Sequence, residues 1–375
     1  MRASDVAILK GVTMIQRRKF VATATALATG SVAAVNAPFV IAQPRVRWRM
    51  PTAFPASLDI LHGSAQRLAR LVSSMSAGRF QIDVYPAGQI VPALGVFEAC
   101  AAGTVEAFMG ASYYWDQKEP ANAWFCTVPF GMNPQGMMAW YHEGDGMKLW
   151  EETYSAFGLV PRSGISIAPQ MAGWFRRKIN TVADFKGLKM RIPGLGGQVM
   201  GKLGANVVLI AGGDIFAALE RGVIDASEWI GPYDDLKLGL QNTARYYYYP
   251  GWHEPGTTLE FTFNKKAYDA LPLELKQILD HATAATWAGA IPEWESKNAI
   301  ASARLRNEYR GRVEISVLPA SVLLDLKKVS GEVVRLESER SPMARRVYES
   351  FLKFQSRVGD WGQISEGAYH RLIVG

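Results

Sequence analysis

From residue 43 onward, strand-like apolar runs alternate with stretches whose apolar residues recur at helical spacing, and that alternation restricts the possible folds most. Residues 46–50 read as a strand. Residues 57–76 read as an amphipathic helix with Leu58, Leu61, Ala65 and Leu68 on one face. The spacing predicts a strand over 80–85, a short helix over 96–102, and an apolar strand over 106–114 that ends in aromatics. Such βαβα order argues for a largely parallel sheet with helices on its faces. After a helical stretch around 134–157 the pattern restarts, with strands expected at 171–179 and 188–192 and helices at 197–203 and 214–221. Strands are expected again at 246–249 and 259–264. Long charged helices then run over 273–311 and 320–356, punctuated mainly by Pro292 and Pro319. In the last of these Val322, Leu326, Val329, Val333 and Leu336 keep helical spacing, the pattern of a helix that covers one sheet.

A chain of 375 residues exceeds what one core usually holds, so two lobes are the default. With no repeat and no linker in sight, the lobes should share crossover strands, an arrangement suited to hinge closure. The expected fold is therefore α/β and two-lobed, with a ligand cleft between lobes and long C-terminal helices. Lobe I takes residues 43–165 with part of 255–320, lobe II takes 166–254, and a helix-rich segment over 265–375 bridges and covers both.

The net charge of +7 suggests a polyanion partner until its position is noted. The first 42 residues hold Arg2, Lys10, Arg17, Arg18 and Lys19 against Asp5 alone, leaving only +3 for the rest. That weak excess gives no warrant for nucleic acid. The same segment reads as an export signal: Gln16-Arg17-Arg18-Lys19-Phe20 precedes an uncharged run to Ala42, a twin-arginine pattern with cleavage expected near Gln43. Its Thr, Ser, Gly and Asn content makes the run a poor permanent span. Cys100 and Cys126 lack the spacing of a metal or redox motif and read as two separate buried thiols, with one disulfide the alternative in an oxidising compartment.

Enzyme constellations find little support. His62, His142, His253, His281 and His370 show no metal-ligand spacing, and neither a Gly-x-Ser-x-Gly elbow nor a phosphate loop occurs. Gly194-Leu195-Gly196-Gly197-Gln198-Val199 begins like a dinucleotide fingerprint, but Val199 fills the third glycine position, leaving a turn into a helix. Just before it, Arg191 closes a strand, where a guanidinium could grip a carboxylate through two parallel bonds or serve a surface ion pair. Asp214 is placed as an N-cap and Gly222 as the stop of a two-turn helix. Glu228-Trp229 before Gly231-Pro232, and Trp252-His253-Glu254 between Pro250-Gly251 and Pro255-Gly256, each set an acid and an aromatic in a rigid loop, where binding groups concentrate.

Two segments carry a family resemblance. Asp184-Phe185-Lys186-Gly187-Leu188-Lys189-Met190-Arg191 and Ala217-Ala218-Leu219-Glu220-Arg221-Gly222-Val223-Ile224-Asp225 resemble, in order, diagnostic segments of the solute-binding proteins of TRAP transporters, the tripartite ATP-independent periplasmic family of DctP-like receptors. Glu228-Trp229 and Trp252-x-Glu254-Pro255 look like the subgroup that binds 2-oxo or 2-hydroxy monocarboxylates together with a cation. The resemblance implies that Arg191 clamps the ligand carboxylate. It implies that Gln170, Glu228, Trp229 and Glu254 hold Na⁺ or Ca²⁺, and that Gln170, Trp229 and Trp252 line the pocket. Tyr113 and Tyr114, at the end of a first-lobe strand, are placed over the ligand from the opposite side, with a plain core role equally open. Implied too are periplasmic location, capture without chemistry, no organic cofactor, delivery to integral membrane subunits, and a homodimer through the C-terminal helix in some relatives. A twin-arginine-exported enzyme and a sensory binding protein are the rival classes.

Overall fold

The computed structural model describes residues 45–374, so the export signal and its cleavage point lie outside the described residues. The strands in chain order are β1 (Val46–Pro51), β2 (Phe80–Tyr85), β3 (Ala107–Gly110), β4 (Leu159–Ile167), β5 (Gly173–Phe175), β6 (Lys189–Arg191), β7 (Asn206–Val208), β8 (Ala226–Ser227), β9 (Tyr246–Tyr249), β10 (Thr257–Asn264) and β11 (Glu314–Val317). The helices used below are α1 (Leu61–Met75), α2 (Val96–Ala101), α3 (Pro134–Glu143), α4 (Gly146–Ser155), α5 (Gly194–Lys202), α6 (Ile215–Glu220), α7 (Pro232–Leu238), α8 (Lys265–Asp269), α9 (Leu273–Glu308), α10 (Ala320–Ser338) and α11 (Pro342–Ile364).

These strands build two lobes. In the first, β1 and β2 pair in parallel, and β10 runs antiparallel between β3 and β4. A parallel bridge from Thr52 to Met109 joins the two groups. The second lobe holds six strands in the order β11-β9-β5-β8-β6-β7. The chain crosses between sheets from β4 to β5 and returns from β9 to β10, so the expected crossover architecture is present. Strand β10 is buried along its whole length, as a central strand covered on both faces must be.

Helix α1 buries Leu61, Ala65, Leu68 and Val72, one face of a 3.6-residue period. It starts at Leu61 rather than at residue 57. Helix α9 runs unbroken through Pro292, which sequence treats as punctuation. Pro292 and Ala288 are both exposed, so the carbonyl that loses its helical partner faces water and the break costs less. The expected helix over 320–356 instead stops at Ser338. Ser341 caps a new helix by accepting from the Ala344 amide at 2.9 Å, with Pro342 in its first turn. On α10 the buried stripe is Val322, Leu326, Ser330, Val333 and Val334, and Leu336 is exposed.

Two further expectations need correction. The strand expected over 106–114 ends at Gly110, and Tyr113 and Tyr114 lie in the 3-10 turn Ser112–Trp115. Asp214 occupies the N-cap of α6, but its side chain accepts no capping hydrogen bond because the preceding turn, Gly212–Asp214, is already 3-10. Gly222 does take the left-handed conformation, at φ +70°, that ends the helix. Cys100 and Cys126 are free and buried, as expected.

Candidate functional site

Parallel pairing places the central groups. Strands β6 and β8 lie side by side with Arg191 opposite Ser227, so Arg191 and the next residue, Glu228, leave the sheet together at the carboxyl ends of two parallel strands. That edge is where open α/β sheets collect ligands. Strand β5 runs antiparallel to β8 and β9, which brings Gln170, just before it, to the same edge. The β9–β10 loop, residues 250–256, is stitched to Gln170: the Gly251 amide donates to the Gln170 carbonyl at 2.8 Å, and the Gln170 amide donates to the Glu254 carbonyl at 3.2 Å. At Gly251 a side chain would fall 2.3 Å from the Gln170 carbonyl oxygen, so glycine is required for this approach.

Arg191 is 1% exposed and carries three donors to three partners. Its Nη1 donates to Glu228, its Nε to the Ile210 carbonyl at 3.1 Å, and its Nη2 reaches the Tyr114 hydroxyl at 3.5 Å. The guanidinium also sits 5.1 Å from the Trp229 ring centroid, a cation–π distance. Burial is the largest influence and opposes its charge, yet Glu228, Tyr114, Tyr113 and Glu254 together outweigh it and raise its pKa, so Arg191 stays cationic. Trp229 in turn packs against Phe54 of the first lobe at 6.5 Å. Gly212 is small because a side chain there would lie 2.3 Å from that indole.

Beside this pair lies a second, acidic group. Gln170 Nε2 donates to Glu254 at 2.6 Å and to Thr257 Oγ1 at 3.2 Å, while the Thr257 hydroxyl donates to Glu254 at 2.6 Å. Glu254 is 1% exposed, and burial first, then the neighbouring Glu228 charge, push its pKa up to about 7. Among the described residues, Glu228 Oε2 and Gln170 Oε1 are buried oxygens without a hydrogen-bond partner, and neither ring nitrogen of His253 makes a hydrogen bond, although its Nε2 lies 3.4 Å from Glu228 Oε2. Donor atoms of Glu228, His253 and Glu254 all lie within 4.8 Å of one another. Unpartnered buried oxygens are costly unless something electropositive meets them, and oxygen donors at this spacing fit a hard cation.

The residues expected from sequence therefore mostly converge. Arg191, Gln170, Glu228, Trp229 and Glu254 form one buried cluster, with partly buried Tyr114 against Arg191. Tyr113 packs with its ring 5.0 Å from that of Tyr114 and with its Cβ against the backbone of Gly194. Burial pushes the Tyr114 hydroxyl up to about 12 and raises the Tyr113 hydroxyl well above its ordinary value, so both remain protonated donors. Trp252 sits apart. Its indole packs 6.0 Å from Phe130 in the apolar cluster of the second lobe. Three residues of the site escaped sequence reading: His253, Thr257 and Phe54. Thr257 and Phe54 carry no local signal, whereas His253 lies between two of the chosen residues.

A buried guanidinium beside oxygen donors at the sheet edge, flanked by Phe54 and Tyr114 of the first lobe, fits a receptor for a small charged solute. The family model for DctP, the bacterial extracellular solute-binding protein family 7, matches residues 52–339, and the chain belongs to that family. A monocarboxylate 2-oxoacid-binding periplasmic protein of Nostoc sp. is 40% identical over 362 residues, which covers 95% of this chain and 98% of the relative. A TRAP periplasmic solute-binding protein of Pseudoalteromonas atlantica, solved with bound sodium and pyruvate, is 36% identical. It superposes with a TM-score of 0.85 over 88% of this chain and 99% of its own. A TRAP transporter solute-binding protein of Bordetella bronchiseptica is also 36% identical, with a TM-score of 0.84 over 87% and 96%. It was solved as a mixed-occupancy dimer with calcium and picolinate.

Proposed function

We propose that this protein is the extracytoplasmic receptor of a TRAP transporter and that it binds a 2-oxo or 2-hydroxy monocarboxylate, such as pyruvate, together with Na⁺ or Ca²⁺. The observation that carries this reading is the buried juxtaposition of Arg191 with the unpartnered oxygens of Glu228 and Gln170. The guanidinium matches a ligand carboxylate in charge and fork geometry. Glu228, Glu254 and the Gln170 amide oxygen would hold the cation. The cation would neutralise the two carboxylates and give the ligand oxygens a second positive partner. Tyr113, Tyr114 and Trp229 supply hydroxyl donors and an aromatic wall that keep water away. The protein captures and releases its solute without transforming it. The family likeness and a site made of one cation and several oxygen acceptors support that role.

In this reading lobe I is 43–165 with part of 255–320, lobe II is 166–254, and residues 265–375 bridge them. Closure of the lobes presents the loaded form to the membrane subunits. The twin-arginine pattern supports export to the periplasm. Exposed Trp361, Ile364 and Leu372 at the C-terminal end support a homodimer formed there. Sedimentation of a single monomeric species at all concentrations would remove that last element. The function is tested by calorimetric titration of chelator-treated mature protein with pyruvate in sodium, calcium or choline buffers. Binding is expected only when Na⁺ or Ca²⁺ is present. Equal binding in choline overturns the cation role, and no binding of any short 2-oxo or 2-hydroxy acid overturns the substrate class.

A further inference from the structure

The stretch that carries Glu228 and Trp229 is irregular, because β8 ends at Ser227 and α7 begins only at Pro232. Ile230 ties it down through both of its backbone groups. Its carbonyl accepts the Met171 amide at 2.9 Å, and its own amide donates to Asp235 Oδ1 at 3.1 Å. Met171 follows Gln170, so Ile230 joins two of the chain segments that bring oxygen donors to the site.

Asp235, on α7, is fully buried and meets three donors from three parts of the second lobe. Besides the Ile230 amide on Oδ1, its Oδ2 accepts the Trp174 indole of β5 at 2.8 Å and the Tyr247 hydroxyl of β9 at 2.7 Å. Those two rings face each other across the β5–β9 pairing and stack at 4.0 Å. Burying a carboxylate is costly, and one neutral carbonyl oxygen has lone pairs enough for the two ring donors. The third bond, on the opposite oxygen, is the one that calls for an acid. The base under Asp235 is fixed as well. Asn298 of α9 accepts the Tyr233 amide at 2.9 Å, and the Trp294 indole of α9 donates to Asp234 at 2.5 Å, so α7 is anchored to the long helix.

We propose that Asp235 is a positioning residue for cation binding: through Ile230 it sets Glu228 and Trp229 against Gln170 before any solute arrives. This rests on the cation-dependent receptor reading given above. Asp235 itself touches neither ion nor solute. Without it the oxygen set would have to be ordered by each incoming ion, and ordering on arrival weakens binding. Outer partners that orient metal ligands contribute about 10- to 100-fold in affinity.

The test titrates chelator-treated mature protein with pyruvate at limiting and at saturating levels of the cation, Ca²⁺ or Na⁺, that supports binding. It is run at pH 8, above the value of about 7 to which burial raises the Asp235 carboxyl. In Asp235→Ala, pyruvate affinity at limiting cation should fall by roughly 10- to 100-fold and return toward the wild-type value when the cation saturates. Tyr247→Phe removes a core donor and keeps the Ile230 tie, so it should lower the thermal midpoint and leave both affinities unchanged. An unchanged affinity in Asp235→Ala, a loss that excess cation does not relieve, or an equal loss in Tyr247→Phe would each overturn the assignment and leave the carboxylate a support of the fold alone. Should Asp235→Ala fail to fold, amide exchange in the wild type decides the matter. The Ile230 N–H is expected to be protected before any ion is added, and free exchange there overturns the proposal. A wild type that binds no pyruvate with either cation would sink the receptor reading, and this proposal with it.

Discussion

Arg191 holds a full charge where water does not reach, and its neighbours decide what that charge can do. Removing it would leave Glu228 and a bound carboxylate both desolvated without a partner. Arg191→Ala should therefore weaken pyruvate binding by about 3–5 kcal/mol, read by calorimetry; an unchanged affinity refutes the clamp. A second buried acid gives a prediction about stability rather than binding. Burial pushes the Glu260 carboxyl up to about 8, against hydrogen bonds from Thr262 and Tyr154 that pull it down. A carboxyl with a raised folded pKa binds its proton more tightly when folded. Its contribution is complete below the unfolded value near 4.5 and is lost as pH rises through 8. Glu260→Gln should flatten the decline in thermal midpoint between pH 5 and 8, and an unchanged slope would show that Glu260 titrates normally. At this scale much was legible. Arg191, Glu228 and Glu254 announce themselves by residue type inside rigid loops. His253 did not, because a single histidine without a spaced partner looks like any core imidazole, and only folding sets it beside two acids.

Between elements, the site depends on which strands become neighbours. Strand β8 is two residues long and β6 three, yet their parallel pairing sets Glu228 against Arg191. The alternating pattern predicted βα units and the strand at β6, but neither β8 nor the strand order, which is a property of long-range pairing. Strands β4, β7, β8 and β11 escaped notice. In β4, Pro161, Arg162 and Gly164 interrupt the apolar alternation, and Gly164 is needed where β10 shifts register between Leu259 and Glu260. Strand β11 is only four residues between two helices. The β9–β10 loop offers a direct test. Gly251→Ala must push the Gln170 carbonyl away, costing about 1–3 kcal/mol of stability and loosening Gln170 and Glu254 together. Thermal unfolding and cation titration should both shift, and retention of full cation affinity would mean that the loop does not position the acids.

The whole molecule is tied across its lobes by more than the ligand site. Asp59, before α1, accepts from the Tyr233 hydroxyl of α7 at 2.8 Å and pairs with Lys237 at 2.9 Å and with Lys297 of α9 at 3.1 Å. Partial burial would raise the Asp59 pKa, but these donors outweigh it and hold the carboxyl at about 2. Partly exposed ties of this kind are worth up to about 1 kcal/mol, so Asp59→Ala should speed pyruvate release by roughly fivefold in stopped-flow measurements. An unaltered release rate would mean the tie plays no part in holding the lobes together. The Arg191–Glu228 pair bears on unloading as well. Any cargo that occupies the guanidinium must first displace a tethered acid, and that acid is waiting when the cargo departs. The receptor thus carries its own competitor, which caps how tightly it can hold its load and lets hand-over to the membrane proceed without exposing a bare charge.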